Sequence, residues 1–343
     1  MKVASLALPF SCVDGIEWPA IASPAGATML ATQWQLDRSQ WWPAERILEH
    51  QFRQLRELVT HAIAHSPHYK AHLSRSGLTS VEQLTPETFL RWPLLPNGEV
   101  PRNEAALRAS LYPREHAGAA VMRFYVHALV LRDHLWHRRD FSAKLAAVGG
   151  RPASGSADDW WGVATNAAFR TGPSVSGSGL IDAREQLEWL SAEGPAYLVT
   201  SSGNLRTLLE YSLATGKIPA GIRQVITVAG PPSSELRSGV LRAWQAQVVD
   251  VYSREQLGPI ALQCPSHGHY HAQAENLYVE LLQQDGTPCR PGELGRVVVT
   301  ALHDFPMPML RYELGDMAEA GEACPCGRGL PVLHRIVAGA SGQ

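Results

Sequence analysis

Apolar and polar positions follow two rhythms along this chain. Leu48, Phe52, Leu55, Val59 and Ala62 recur at helical spacing with Arg and Glu between them, which predicts an amphipathic helix of several turns. Pro43 suits its first turn and Ser66-Pro67 ends it. A short helix stopping at Gly77 follows, and another opens at Thr85-Pro86-Glu87 and stops at Trp92-Pro93. The helical stretch carrying Arg132, His134, His137, Arg138 and Arg139 reads as a solvated face. Further on, short apolar runs alternate with helical segments. Trp160–Ala164, Ala196–Thr200, Val225–Ala229 and Val248–Tyr252 read as strands, with helices over Asn204–Ala214 and Ser234–Ala246. This alternation predicts an α/β fold with a largely parallel sheet in two sheet-containing lobes. The Gly/Ser-rich run Arg170–Leu180 reads as a surface loop.

The rhythm changes after Tyr252. Leu277–Gln283 alternates, Asp285-Gly286 is a hairpin turn signal, and Arg296–Leu302 supplies the partner strand. With Met309–Tyr312 these predict a small antiparallel, β-barrel-like subdomain. The expected organisation is therefore an N-terminal extension over residues 1–40 with no assignable role, α/β lobes over 41–250, and the β subdomain over 251–337.

Composition narrows the function classes. The 343 residues are 45% hydrophobic and 18% charged, ample for a sizeable core. A net charge of −2 with no long basic run argues against nucleic-acid binding. No apolar run is long enough to span a bilayer, and the start of the chain makes a poor signal peptide, so a cytoplasmic protein is expected. The five cysteines suit metal binding better than disulfides.

The cysteines carry the clearest chemistry. Cys264-Pro265-Ser266-His267-Gly268-His269-Tyr270-His271 and Cys324-Pro325-Cys326-Gly327-Arg328 are two ligand-rich turns far apart in sequence. Zinc takes thiolates and imidazoles tetrahedrally, and Cys264, His271, Cys324 and Cys326 make a Cys3His set. Pro325 and Gly327 would form the turn that aims both sulfurs one way, and His267 and His269 are rival ligands. Such a zinc ion would be structural, since a full protein ligand set leaves no open position.

These turns are joined by Val279-Glu280-Leu281 and by Pro308-Met309-Leu310-Arg311-Tyr312 with Asp316. The joint pattern resembles phenylacetate–CoA ligases and coenzyme F390 synthetase-like proteins of the adenylate-forming superfamily, from about Leu48 to Arg335. The resemblance implies the large N-terminal domain of such an enzyme, a small aryl or acyl substrate, and nucleotide contacts at Gly230, Tyr252 and Asp316. It further implies a phosphate loop followed by an aromatic strand, here Met122–Val126.

The departures from the family bear on activity. Arg114–Val121 stands where the phosphate loop belongs, with one glycine, no Ser or Thr, and Glu115. Pro231 replaces the acid of the family's Gly-x-Glu turn, and Gln256 stands where the family has its Mg2+-binding Glu. The family's C-terminal lid, with its hinge Arg and catalytic Lys, is not encoded in this sequence. ATP and Mg2+ are therefore not expected as cofactors, whereas CoA or an acyl thioester is. The expected function is ATP-independent acyl transfer between CoA and a carrier protein, or service as a partner subunit of a complete ligase. The alternatives are an active ATP-dependent acyl-CoA ligase and a non-catalytic scaffold. No Ser-His-Asp or Cys-His pair stands at interpretable spacing, so the sequence names no catalytic nucleophile.

Overall fold

The computed structural model describes residues 8–149 and 157–339. The chain divides into two compact units, residues 1–34 with 127–254, and residues 35–126 with 255–343.

The first unit is α/β. Its strands are β1 (Leu145–Gly149), β2 (Ala157–Asp158), β3 (Ser174–Ser178), β4 (Tyr197–Ser201), β5 (Gln224–Val228) and β6 (Gln247–Arg254). They lie in the order β2-β3-β1-β4-β5-β6, parallel except for β2 against β3. Helices Ala183–Glu193, Ser202–Thr215 and Ser234–Trp244 follow strands, and each starts on a side-chain cap. Asp182, Ser201 and Ser233 accept hydrogen bonds from the amides of Glu185, Asn204 and Leu236 at 2.8, 3.1 and 3.2 Å. The core between helices and sheet is built from Leu187, Leu190, Leu198, Leu205, Val225 and Val240.

Four sequence expectations fail in or next to this unit, for physical reasons. Met122–Val126 is not a strand but part of helix Ala120–Trp136. That run holds no Gly or Pro, so helical hydrogen bonding propagates through it. Trp160–Ala164 is not a strand either: Trp160 and Val163 are exposed, and a short helix, Val163–Asn166, begins there. The Gly/Ser-rich run forms β3, where Ser174–Ser178 pairs with all of β1. Its small residues suit this place, because a Cβ on Gly177 would come within 2.8 Å of the Trp189 ring.

The charged helix face is the fourth correction. Arg132, Asp133, His134 and Arg139 are buried, and only Arg138 of the five cations named from sequence is fully exposed. Arg139 bonds Asp133 Oδ2 at 2.6 Å, Gln224 Oε1 on β5 at 2.6 Å and His134 Nδ1 at 3.0 Å. Burial alone would raise the Asp133 carboxyl, but Arg139, with His137 and His134, holds it below its ordinary value.

The second unit is helical at its start and antiparallel at its end. Helix Ala44–His65 buries Phe52, Leu55, Val59 and Ala62 of the stripe read from sequence, together with Ile47 and Leu58, while Leu48 is half-buried. Strands β7 (Gly258–Gln263), β8 (Tyr270–Ala272), β9 (Leu277–Leu282), β10 (Leu294–Ala301), β11 (Tyr312–Ala320) and β12 (Val332–Val337) lie in the order β7-β8-β12-β11-β10-β9. Gln51 ties the helix to this sheet by donating to the carbonyls of Ala274 and Leu277, both at 2.9 Å. Arg311 is buried among Glu280 and the carbonyls of Leu90 and Trp92. Arg311, first of the Arg311-Tyr312 pair, is therefore a structural residue. No helix among the described residues is long and apolar enough to cross a membrane.

Two predictions concern stability. Replacing Arg139 by Ala strands Asp133 without its cation in the core, so unfolding free energy in urea should fall by about 3–5 kcal/mol; a loss below ~1 kcal/mol would refute the network. Burial pushes the Asp304 carboxyl up to about 6, against the hydrogen bond from the Met307 amide. A raised acid contributes stability at low pH that is lost as pH rises through that value. Asp304→Asn should therefore stabilise the protein by roughly 2–3 kcal/mol at pH 7.5 and converge with wild type near pH 4. Equal stabilities of the two proteins at pH 7.5 would contradict this.

Candidate metal centre

The second unit brings two distant turns together through strand register. Cys264 leaves the end of β7, and its amide donates to the His269 carbonyl at 2.8 Å, closing the turn into β8. His271 is the central residue of β8, opposite Leu262 on β7 and Val332 on β12. Cys324 and Cys326 occupy the turn that links β11 to β12. Pairing β12 with β8 therefore sets that turn beside Cys264 and His271. Gly327, at φ +88°, makes the reversal, and its amide donates to the Cys324 carbonyl at 3.0 Å.

The four ligand atoms of Cys264, His271, Cys324 and Cys326 all lie within 4.8 Å of one another. Cys264 Sγ and Cys324 Sγ are 3.9 Å apart, and Cys326 Sγ is 3.4 Å from His271 Nε2. A tetrahedral zinc site has S···S edges of about 3.8 Å and S···N edges of about 3.5 Å, given bonds of ~2.3 and ~2.0 Å. The donor set and its spacing fit such an ion. His271 is fully buried, and its Nδ1 lies 3.4 Å from the Leu330 carbonyl, which leaves Nε2 facing the sulfurs.

The thiols differ electrostatically. Burial, with the Cys326 and Cys264 thiols close by, pushes Cys324 up to about 12. Burial also opposes ionisation of Cys326, but hydrogen bonds from the Arg328 backbone and side chain and from Cys324 outweigh it and lower that thiol. A bound divalent cation deprotonates its thiol ligands outright, which overrides the first effect. Cys289 lies outside the set, half-buried against Gly295.

Sequence reasoning missed what braces this turn. Arg328 donates to Gln40 Oε1 at 2.8 Å, reaches Cys326 Sγ at 3.5 Å, and stacks over Trp41 with 4.8 Å to the ring centroid. The Gly329 amide donates to the Gln40 carbonyl at 2.9 Å. A Cβ on Gly329 would meet the Trp42 carbonyl oxygen at 1.8 Å, so this approach requires glycine. Residues Gln40–Trp42 thus buttress the knuckle; the Gly-Arg-Gly run after Cys326 was the signal available in sequence.

The nucleotide candidates are not gathered in one unit. Gly230, at φ +98°, follows β5 and accepts a hydrogen bond from the Ser202 hydroxyl, and Tyr252 is buried on β6; both belong to the first unit. Asp316, on β11 of the second unit, is 2% exposed, and its Oδ1 accepts the Gly339 amide at 2.9 Å. Glu255 and Gln256 are exposed in a turn. Arg114–Ala119 forms a tight 3-10 turn that runs directly into helix Ala120–Trp136. Arg114 and Glu115 are exposed, and the His116 ring packs on Phe305 with centroids 4.8 Å apart.

No protein-family model and no curated protein matches the sequence. Solved structures do resemble the fold. Against 2-hydroxyisobutyryl-CoA ligase in its postadenylation state with R3-HIB-AMP, the TM-score is 0.73 at 17% identity, over 89% of this chain and 70% of that one. Against the same ligase with 2-HIB-AMP and CoA in the thioesterification state it is 0.71 at 17% identity, over 88% and 70%. The open conformation of that ligase gives 0.71 at 17% identity, over 87% and 76%. A likeness at this identity establishes architecture: the chain has the mixed α/β fold of the N-terminal domain of adenylate-forming enzymes.

Proposed function

We propose that this protein handles a small aryl or acyl group as a thioester, without ATP, on a fold whose β subdomain is pinned by a structural zinc ion. The reaction would exchange one thioester for another: the thiol of a carrier protein bonds the acyl carbon, the acyl–CoA sulfur bond breaks, and the departing CoA thiolate takes the carrier thiol's proton. Such an exchange needs no phosphoanhydride. The observation that carries the reading is the Arg114–Ala119 turn. A phosphate cradle needs backbone amides and hydroxyls converging on the anion. Here the segment is wound into a 3-10 turn and a helix, contains no Ser or Thr, and exposes Glu115. Asp316 supports the same conclusion, since one oxygen of its buried carboxylate is occupied by the Gly339 amide. An exposed Gln256 offers Mg2+ a neutral amide in place of a carboxylate. The acyl and CoA part of the proposal leans on the ligase structures of similar fold, which hold an acyl-AMP and, in two of them, CoA.

Cys264, His271, Cys324 and Cys326 would hold the zinc ion, whose contribution is folding free energy rather than chemistry. His271, fixed through Nδ1, presents Nε2, and Cys324 and Cys326 present their sulfurs from a turn braced by Arg328.

Two measurements test these readings. Protein purified without added metal should contain one equivalent of zinc by mass spectrometry. Cys326→Ser should lose most of it, with the melting temperature lower by roughly 5 °C or more. Full zinc retention in that variant would exclude Cys326 as a ligand. Calorimetric titration should show binding of aryl- or short acyl-CoAs, while ATP, Mg2+ and a panel of aryl acids should release no pyrophosphate. Pyrophosphate release would establish an ATP-dependent ligase instead, and absence of any acyl-CoA binding would leave a scaffold.

A further inference from the structure

We infer that His269 donates a hydrogen bond to the Cys324 sulfur and holds it in place for the metal, acting as a positioning residue outside the ligand set. The inference rests on the zinc reading above and concerns a residue which that reading leaves without a role. His269 Nε2 lies 3.0 Å from Cys324 Sγ. Two ligands of one tetrahedral zinc ion stand further apart, at about 3.5 Å for nitrogen and sulfur. The His271–Cys326 pair, at 3.4 Å, is close to that edge; the His269–Cys324 pair is too short for it and lies within hydrogen-bonding reach of a ring N–H. His269 is also absent from the four residues whose ligand atoms are mutually close.

Strand geometry explains why two imidazoles reach the same place. His269 and His271 are two residues apart where the chain enters β8, and side chains at that spacing point to one side. The His269 backbone is fixed by its carbonyl, which accepts the Cys264 amide. Its ring lies edge-on to His271, at 80°, and parallel to His267, at 6°.

Charge supplies the reason for a donor here. Three thiolates and a neutral imidazole leave one excess negative charge on a zinc centre, and hydrogen bonds to the sulfurs disperse it. Cys326 receives the Arg328 guanidinium at 3.5 Å, and Cys324 receives the Cys326 amide at 3.4 Å. His269 completes this pattern by giving Cys324 a side-chain donor.

The test uses the full chain, stripped of metal under reducing conditions and titrated with Zn2+ against a competing chelator and with Co2+ by absorption. His269→Ala should weaken zinc affinity about 10- to 100-fold. Its cobalt spectrum should keep the band positions of a three-thiolate, one-imidazole site, and far-UV circular dichroism should be unchanged. His269→Gln, which restores an N–H donor, should recover most of the affinity, and His267→Ala should retain wild-type affinity. Wild-type affinity in His269→Ala would overturn this inference alone. A shifted cobalt spectrum in that variant would also overturn it, by making His269 a ligand. A wild-type chain that binds no zinc would overturn both this inference and the zinc reading.

Discussion

His271 sits at the centre of a three-residue strand, and its register against Val332 decides which turns of the second unit face one another. Side chains alternate along a strand, so a slip of one residue would turn the imidazole away from the sulfurs. The neighbouring pair, Leu333 with Tyr270, belongs to the same short ladder. Such a ladder is a weak constraint alone, because a few hydrogen bonds add only modest net stability. It is reinforced from both sides: the Cys264 turn closes on the His269 carbonyl, and the Cys324–Cys326 turn is clamped by Arg328 to Gln40 and Trp41. The ligand geometry is thus preorganised by backbone pairing and by packing on the Gln40–Trp42 segment.

Each unit also contains a buried ion pair whose arginine bonds a segment far away in sequence. Arg311 holds Glu280 of β9 and the Leu90 and Trp92 carbonyls. Burial raises the Glu280 carboxyl, and Arg311 opposes that rise. Arg139 connects the C-terminal end of helix Ala120–Trp136 to Gln224 on β5. Buried pairs add little over well-packed apolar groups, but an unpaired partner is costly, so they disfavour alternative packings in which the partner is lost. Both arginines use the planar fork that lysine lacks, which makes them poor sites for a charge-conserving exchange.

The architecture of an adenylate-forming domain is kept here at only 17% identity to a ligase of known structure. Fold and function separate in this way because the core requires only apolar pattern and volume, whereas phosphate binding requires particular groups at a few loop positions. The stretch Arg114–Ala119 meets the packing requirement, with His116 against Phe305, and lacks the groups for the other.

Much of this was legible in the residues. Periodicity located helix Ala44–His65 and the alternating strands and helices from Tyr197 to Arg254, because both depend on a local apolar pattern facing one core. The chemistry of the donor types marked Cys264, His271, Cys324 and Cys326 as a set, and the structure brings them together. Other features were decided only in three dimensions. Ser174–Ser178 carries no strand signal of its own and becomes β3 because β1 offers a parallel partner. Met122–Val126 stands where the family resemblance implies a strand, yet an unbroken helix runs through it. Arg132, His134 and Arg139 look like part of a solvated face, since no local pattern reveals that Gln224, 85 positions from Arg139, accepts a hydrogen bond from it. The brace from Gln40 and Trp41 to Arg328 joins side chains 288 positions apart. Local spacing is encoded in neighbouring residues; the partners of a buried charge or a turn are chosen by the folded chain.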